Sequence, residues 1–243
     1  MNICISVLIL MIAILIIIIT ILLNHKRNSS FKKSNDSSDF VILNNFLKDA
    51  IYEIRYYSSY NFVGKRINGY EEPLALITKE AAQALKDVND ELQKEGFCLK
   101  IYDAYRPTRA VKHFITWSKD LNDTSMKKDF YPNIDKSTLI KKGYITKKSS
   151  HSRGSTIDLT LFNVRTKKEV DMGGPFDYFG KLSHFNYKKI TKEQYKNRIM
   201  LRKIMIEHGF KPLENEWWHF TLKNEPYPNT YFDFPVNSNI IKK

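Results

Sequence analysis

Cysteine is nearly absent from this sequence: 243 residues contain two, Cys4 and Cys98. Cys4 lies in an apolar N-terminal run, and Cys98 lies in a short segment patterned as a buried strand. A disulfide between them is excluded, and no oxidising compartment is implied. Cys98 reads as a small buried hydrophobe. Any transition-metal site must therefore be built from histidine and carboxylate. Acidic residues are also sparse, with 26 Asp and Glu against 39 Lys and Arg, for a formal net charge of +13. The cations are scattered and mostly Lys. There is no zinc-finger or helix-turn-helix signature and no aromatic–basic stripe, so no nucleic-acid partner is expected. Attraction to anionic surfaces is the general consequence of the charge. An aromatic content of 13% excludes extensive disorder.

The N-terminus lacks a charged leading region and a small-x-small cleavage site. Residues 3–23 are an almost unbroken run of Ile, Leu, Val, Met and Ala. As a helix this run spans roughly 30 Å, the thickness of a hydrocarbon core. Residues 1–23 therefore read as a retained transmembrane helix, a single-pass anchor. Lys26, Arg27, Lys32 and Lys33 flank it, and the positive-inside rule favours the cytoplasm for that flank and the following domain, with the extracytoplasmic side as the alternative. Residues 24–39 are rich in Ser, Asn and Lys and read as a basic flexible linker. Residues 40–243 form one domain long enough for a full core.

Within that domain a helix is expected over 78–95, with Thr78 as N-cap, an apolar face of Ala81, Leu85, Val88 and Leu92, and Gly96 as the stop. Residues 97–102 alternate as a strand. Pro107 suits the first turn of a second helix carrying Ala110, Val111, Phe114 and Trp117. Arg106 sits at this strand-to-helix junction, either facing a cleft or serving as a surface or capping residue. Residues 121–148 read as an irregular connection. Residues 156–161 read as a strand, with Ile157, Leu159 and Leu161 toward the core and Asp158 and Thr160 on the other face. A return strand is expected over 169–172. A third helix opens with the capping box Thr191-x-x-Gln194 and ends at Gly209. His113 and His208 read as a packed histidine and a helix-terminus histidine, and His184 as a loop residue near the site.

Two segments carry chemistry. Ser149-Ser150-His151-Ser152-Arg153-Gly154-Ser155-Thr156-Ile157-Asp158 supplies an imidazole, a tight turn and a carboxylate; Glu216-Trp217-Trp218-His219 supplies a carboxylate and an imidazole. His151, Asp158 and His219 make a three-ligand set for Zn²⁺ with one coordination position open, as in catalytic zinc. Glu216 is then free to act as a base on water. Alone, each segment also fits a packed histidine beside a solvated carboxylate. In a regular strand Glu216 and Trp218 share one face and His219 takes the other, so a bulge near the tryptophans is required.

Four ordered motifs resemble the VanX-type D-alanyl-D-alanine dipeptidases of the zinc D,D-peptidase (M15) family. They are Tyr60-Asn61-Phe62-x-Gly64, Tyr102-Asp103-Ala104-Tyr105-Arg106-Pro107, Ser150-His151-Ser152-Arg153-Gly154-x-x-Ile157-Asp158-Leu159-Thr160 and Glu216-Trp217-Trp218-His219. The resemblance implies an α+β fold: a small central antiparallel sheet carrying the zinc site, flanked by helices. It also implies His151, Asp158 and His219 as zinc ligands, Glu216 as general base and Arg106 as oxyanion stabiliser. A dipeptide's ammonium would meet Asp177 or Asp103, and its carboxylate Ser149, Ser150 or backbone N–H groups. Tyr56, Tyr57 and Tyr60 would close a small pocket. The implied activity is zinc-dependent hydrolysis of D-Ala-D-Ala in cell-wall peptide metabolism. The competing expectations are a D,D-carboxypeptidase acting on longer peptides and a non-catalytic cell-wall-peptide-binding protein.

Overall fold

The computed structural model describes residues 11–15 and 32–241. The chain divides into two compact units, residues 1–32 and 33–243. In the first, residues 11–15 are helical. The remainder of the expected anchor lies outside the described residues. Among the described residues no helix is long and apolar enough to cross a membrane.

From Lys32 onward the elements run β1 (Lys32–Ser34), β2 (Phe40–Ile42), α1 (Leu43–Phe46), β3 (Ile51–Tyr52), β4 (Leu76–Thr78), α2 (Lys79–Lys94), β5 (Phe97–Asp103), α3 (Thr108–Lys119) and α4 (Lys127–Phe130). They continue with β6 (Thr156–Asn163), β7 (Lys168–Glu169), α5 (Lys192–Glu207), β8 (Phe210–Leu213), β9 (Glu216–Leu222) and β10 (Thr230–Phe232). The central sheet has the order β3-β5-β6-β9-β8, with β7 paired to β6. The α+β class holds, but the expectation of a purely antiparallel sheet does not: β3 runs parallel to β5. The connection between these two strands contains β4 and the whole of α2. A crossover of that length returns the chain in the same direction, which a tight hairpin cannot do.

Strand β6 lies between β5 and β9. It is buried from Thr156 to Leu161 on both faces, with Ile157, Leu159 and Leu161 wholly in the core. Helix α2 buries its predicted stripe of Ala81, Leu85, Val88 and Leu92. Thr78 does occupy the cap position, but its hydroxyl makes no cap bond. It lies 2.7 Å from Ser155 Oγ instead, tying the start of α2 to the segment before β6. Pro107 is the residue before α3 rather than inside its first turn.

Two expectations are shortened by competing partners. The return strand over 169–172 is only β7, because Gln194 and Asn197 of α5 bind Asp171. Within the expected linker, Lys32–Ser34 is extended as β1, Ser37 Oγ donates to the Ile240 carbonyl at 2.6 Å and Tyr227 donates to Asp39.

Gly154 is where the fold constrains the site most tightly. Its φ of +87° is left-handed, and a Cβ there would lie 2.3 Å from Phe40 Cζ. Phe40 is wedged against Tyr105, Phe232 and Phe234 and has little room to yield. Gly154→Ala should therefore combine backbone strain with overpacking and lower stability by about 3 kcal/mol, read as a lower urea midpoint at unchanged slope.

Candidate metal centre and cleft

Ser150–Arg153 form a 3-10 turn that Gly154 closes in the left-handed region. Ser149 Oγ accepts the His151 N–H at 3.3 Å. Ser152 Oγ donates to the Arg106 carbonyl at 2.7 Å, and the Arg106 N–H donates to the His151 carbonyl at 3.3 Å. The turn is thus stitched to the strand-to-helix junction after β5.

The sheet supplies the other two groups. Asp158 of β6 and His219 of β9 are direct cross-strand partners, which brings their side chains together on one face. The register of β8 against β9 jumps from Pro212↔Phe220 to Leu213↔Glu216. Two neighbouring β8 residues therefore face β9 residues four apart. This is the bulge the sequence required, and it turns Glu216 and His219 toward one point.

His151, Asp158 and His219 are all buried, and one donor atom from each lies within 4.8 Å of the others. His151 Nε2 is 3.2 Å from Asp158 Oδ2 and 3.2 Å from His219 Nδ1; His219 Nδ1 is 3.0 Å from Asp158 Oδ1. On its far side His151 Nδ1 lies 2.7 Å from the Ala104 carbonyl. A carbonyl only accepts, so Nδ1 carries the proton and the Nε2 lone pair faces the cluster. His219 Nε2 lies 3.2 Å from Ser150 Oγ, which can accept its N–H and leave the Nδ1 lone pair free to ligate. The tautomers, donor types and burial fit a divalent metal ion.

Electrostatics agree. Burial pushes the Asp158 carboxyl up, but His151 and His219 more than reverse this and hold it well below the usual carboxylate range. Burial holds the His151 imidazole below its ordinary value, in the neutral ligating form. Burial pulls His219 the same way, but its hydrogen bond and charge pairing with Asp158 win and raise it.

Glu216 Oε2 is 3.4 Å from His219 Nδ1, with about a third of the Glu216 side chain still exposed, 35%. Burial lifts its carboxyl above the ordinary value, partly opposed by His219. Arg106 donates through Nε to Asp103 Oδ2 at 2.9 Å and through Nη2 to Asp158 Oδ2 at 3.3 Å. Its guanidinium lies 4.8 Å from the Tyr56 ring centroid and 5.4 Å from that of Phe114. Of the two readings of Arg106, the structure places the half-buried side chain in the wall of the cleft.

These groups open on a cleft of about 1240 Å³ whose walls include Tyr56, Ser149, Ser150, Asp177, Trp218 and Lys148. Asp177 has φ 61°, is 7% exposed and accepts from Tyr56 OH at 2.8 Å. Burial pushes its carboxyl well above the ordinary value. Tyr60 does not reach the cleft. It is 52% exposed, with its ring against Arg55 and Phe130, because the turn centred on Asn61 directs it outward. Tyr57 faces Arg66, so only Tyr56 of the three tyrosines lines the cleft. Asp103 is fully buried, committed to Arg106 and to Tyr70 OH at 2.6 Å, and is no partner for a ligand.

His184 is among the residues lining the cleft but is not part of the ligand group. His113 Nδ1 accepts the Asn68 N–H at 3.1 Å, and His208 pairs with Glu91 at 2.9 Å. Tyr70 was not legible as part of the site; its position in a turn-rich segment gave no signal that its hydroxyl reaches Asp103.

The Peptidase_M15 family model, described as D-ala-D-ala dipeptidase, matches residues 36–237. A D-alanyl-D-alanine dipeptidase of Enterococcus faecium is 42% identical over 195 residues, covering 79% of this chain and 96% of the relative. That of Enterococcus faecalis is 42% identical over 198 residues, covering 82% and 98%. That of Streptomyces coelicolor is 38% identical over 200 residues, covering 82% and 99%. The matched span contains the turn, both strands of the His–Asp–His group, Glu216 and Arg106, and the chain belongs to the Peptidase_M15 family of D-Ala-D-Ala dipeptidases.

Proposed function

We propose that this chain hydrolyses D-alanyl-D-alanine to two molecules of D-alanine, with zinc held by His151, Asp158 and His219. The observation that carries the reading is the buried convergence of these three side chains with the Glu216 carboxylate 3.4 Å from His219 Nδ1. Zn²⁺, when bound, supplies Lewis acidity that polarises the scissile carbonyl and acidifies a water.

The chain's own groups do the rest. Glu216 takes the proton of the attacking water and delivers it to the leaving amine as the C–N bond breaks. Arg106 offers guanidinium N–H groups to the carbonyl oxygen as it gains negative charge. Burial disfavours its charge, but the Asp103 and Asp158 carboxylates beside it more than offset this and keep it protonated. Asp177, steadied by Tyr56, faces the substrate ammonium. Ser149 and Ser150 flank the cleft where its carboxylate lies.

Release of D-alanine by the purified chain should stop on chelation and return when Zn²⁺ is restored. The cleft volume of about 1240 Å³ favours one second reading, a peptidase for longer D-Ala-D-Ala-terminated peptides. Folded, zinc-loaded protein that leaves the dipeptide intact but cleaves a pentapeptide stem would replace the first reading with the second.

A further inference from the structure

Arg198 projects from α5 into the interior and is 1% exposed. Its Nε donates to the Met172 carbonyl at 2.6 Å, Nη1 to the His184 carbonyl at 2.7 Å and Nη2 to the Leu182 carbonyl at 2.9 Å. The guanidinium also lies 5.7 Å from the Trp217 ring centroid. Burying a guanidinium is costly unless its donors are satisfied. A Leu or Met would fill the same helix position without that cost. Packing alone therefore does not account for an arginine here, but the identity of its acceptors does. All three are main-chain carbonyls, and they stand at the two ends of one segment, residues 172–184.

The middle of that segment belongs to the site. Phe176 stacks on Tyr102 with centroids 4.6 Å apart and packs edge-on against Trp218 at 5.3 Å. Asp177 follows in the left-handed region, a conformation that a non-glycine residue keeps only when its surroundings hold it there. Gln194 and Asn197 of the same helix bind only Asp171, the residue before the segment. Arg198 bonds both ends, and it does not line the cleft itself.

We propose that Arg198 is a positioning residue that clamps residues 172–184 so that Asp177 presents its carboxylate to the substrate ammonium. The inference rests on the reading of Asp177 given above. A double-mutant cycle tests it, with zinc content measured throughout. Arg198→Lys keeps the charge but loses the planar fork. It should raise KM for D-Ala-D-Ala about tenfold and change kcat less than about threefold. In an Asp177→Asn background the same substitution should cost almost nothing further.

Gly174→Ala perturbs the same segment from elsewhere, since its Cβ would lie 2.8 Å from Leu182 Cγ. It should give the same KM shift and the same loss of effect in the Asp177→Asn background, which keeps the test open if Arg198→Lys folds poorly. Costs that persist undiminished in that background, or that fall on kcat alone, overturn the proposal. Limited proteolysis within residues 173–183 reads the clamp without reference to the substrate: cleavage should be faster in Arg198→Lys, and an unchanged rate overturns the clamp. Asp177→Asn that leaves KM unchanged, with proteolysis still accelerated in Arg198→Lys, removes the ammonium assignment and leaves the clamp standing.

Discussion

Glu216→Gln should lower kcat for D-Ala-D-Ala on the order of a thousandfold while the protein stays folded and keeps its metal. Gln matches the shape of Glu but cannot take a proton from water, and positioned general acid–base groups contribute roughly 10² to 10⁴ in rate. A thousandfold is about 4 kcal/mol of barrier. The bulge in β9 aims this carboxylate at the same point as His219, and a third of it stays open to the cleft. The wild-type pH profile should carry the same signature. The acting form is the carboxylate, so activity is lost as pH falls through its pKa. Burial raises that pKa and moves the acid limb toward neutrality. The residual rate of Glu216→Gln should no longer follow this limb. Metal analysis of both proteins separates loss of the base from loss of the ion, because the raised His219 also protonates as pH falls. A variant with full metal and near wild-type kcat would remove Glu216 from the mechanism.

The requirement for a kink in β9 could be read from four letters. Glu216 and His219 are three apart, an odd spacing that a regular strand sends to opposite faces, so a shared ion demands a bulge. The Asp158 position was equally legible, since alternation with Ile157, Leu159 and Leu161 fixed its face. What periodicity does not encode is which strands become neighbours, and so the parallel pairing of β3 with β5 was missed. Nor does it encode the destination of a long side chain. Tyr60 and Asp103 were candidates by proximity to motifs, yet Tyr60 turns outward and Asp103 is sealed behind Arg106. In the helix that the capping box opens, Ile199 and Ile206 are exposed while Arg198 takes an interior position. Carbonyls of a distant segment decide that exchange, and they leave no mark in the helix's own pattern.

Asp158→Asn should abolish detectable hydrolysis by removing the anionic member of the ligand set. The substitution conserves volume and leaves the β6 ladder to β5 and β9 intact. It withdraws a negative charge from a point that His151, His219 and Arg106 all face at 3.0 to 3.3 Å. An amide oxygen is a poorer ligand than a carboxylate, and its NH₂ cannot face the ion. Loss of groups that merely support ligands costs about 10- to 100-fold in metal affinity, so loss of the ligand itself should exceed that. At free zinc a thousandfold above the wild-type Kd, binding stabilises the wild type by about 4 kcal/mol, and a hundredfold weaker site keeps only about 1.4 kcal/mol. The zinc-induced rise in melting temperature should shrink accordingly, measured beside the metal-free midpoint of each protein. That metal-free midpoint should move less, because Asp103 still holds Arg106 through a 2.9 Å bond. Arg106 itself then gives the contrast. If Asp158→Asn kept the full zinc-induced shift and lost rate only as far as an Arg106 variant does, Asp158 would be a partner that orients the guanidinium, and the third ligand would have to be sought at Glu216.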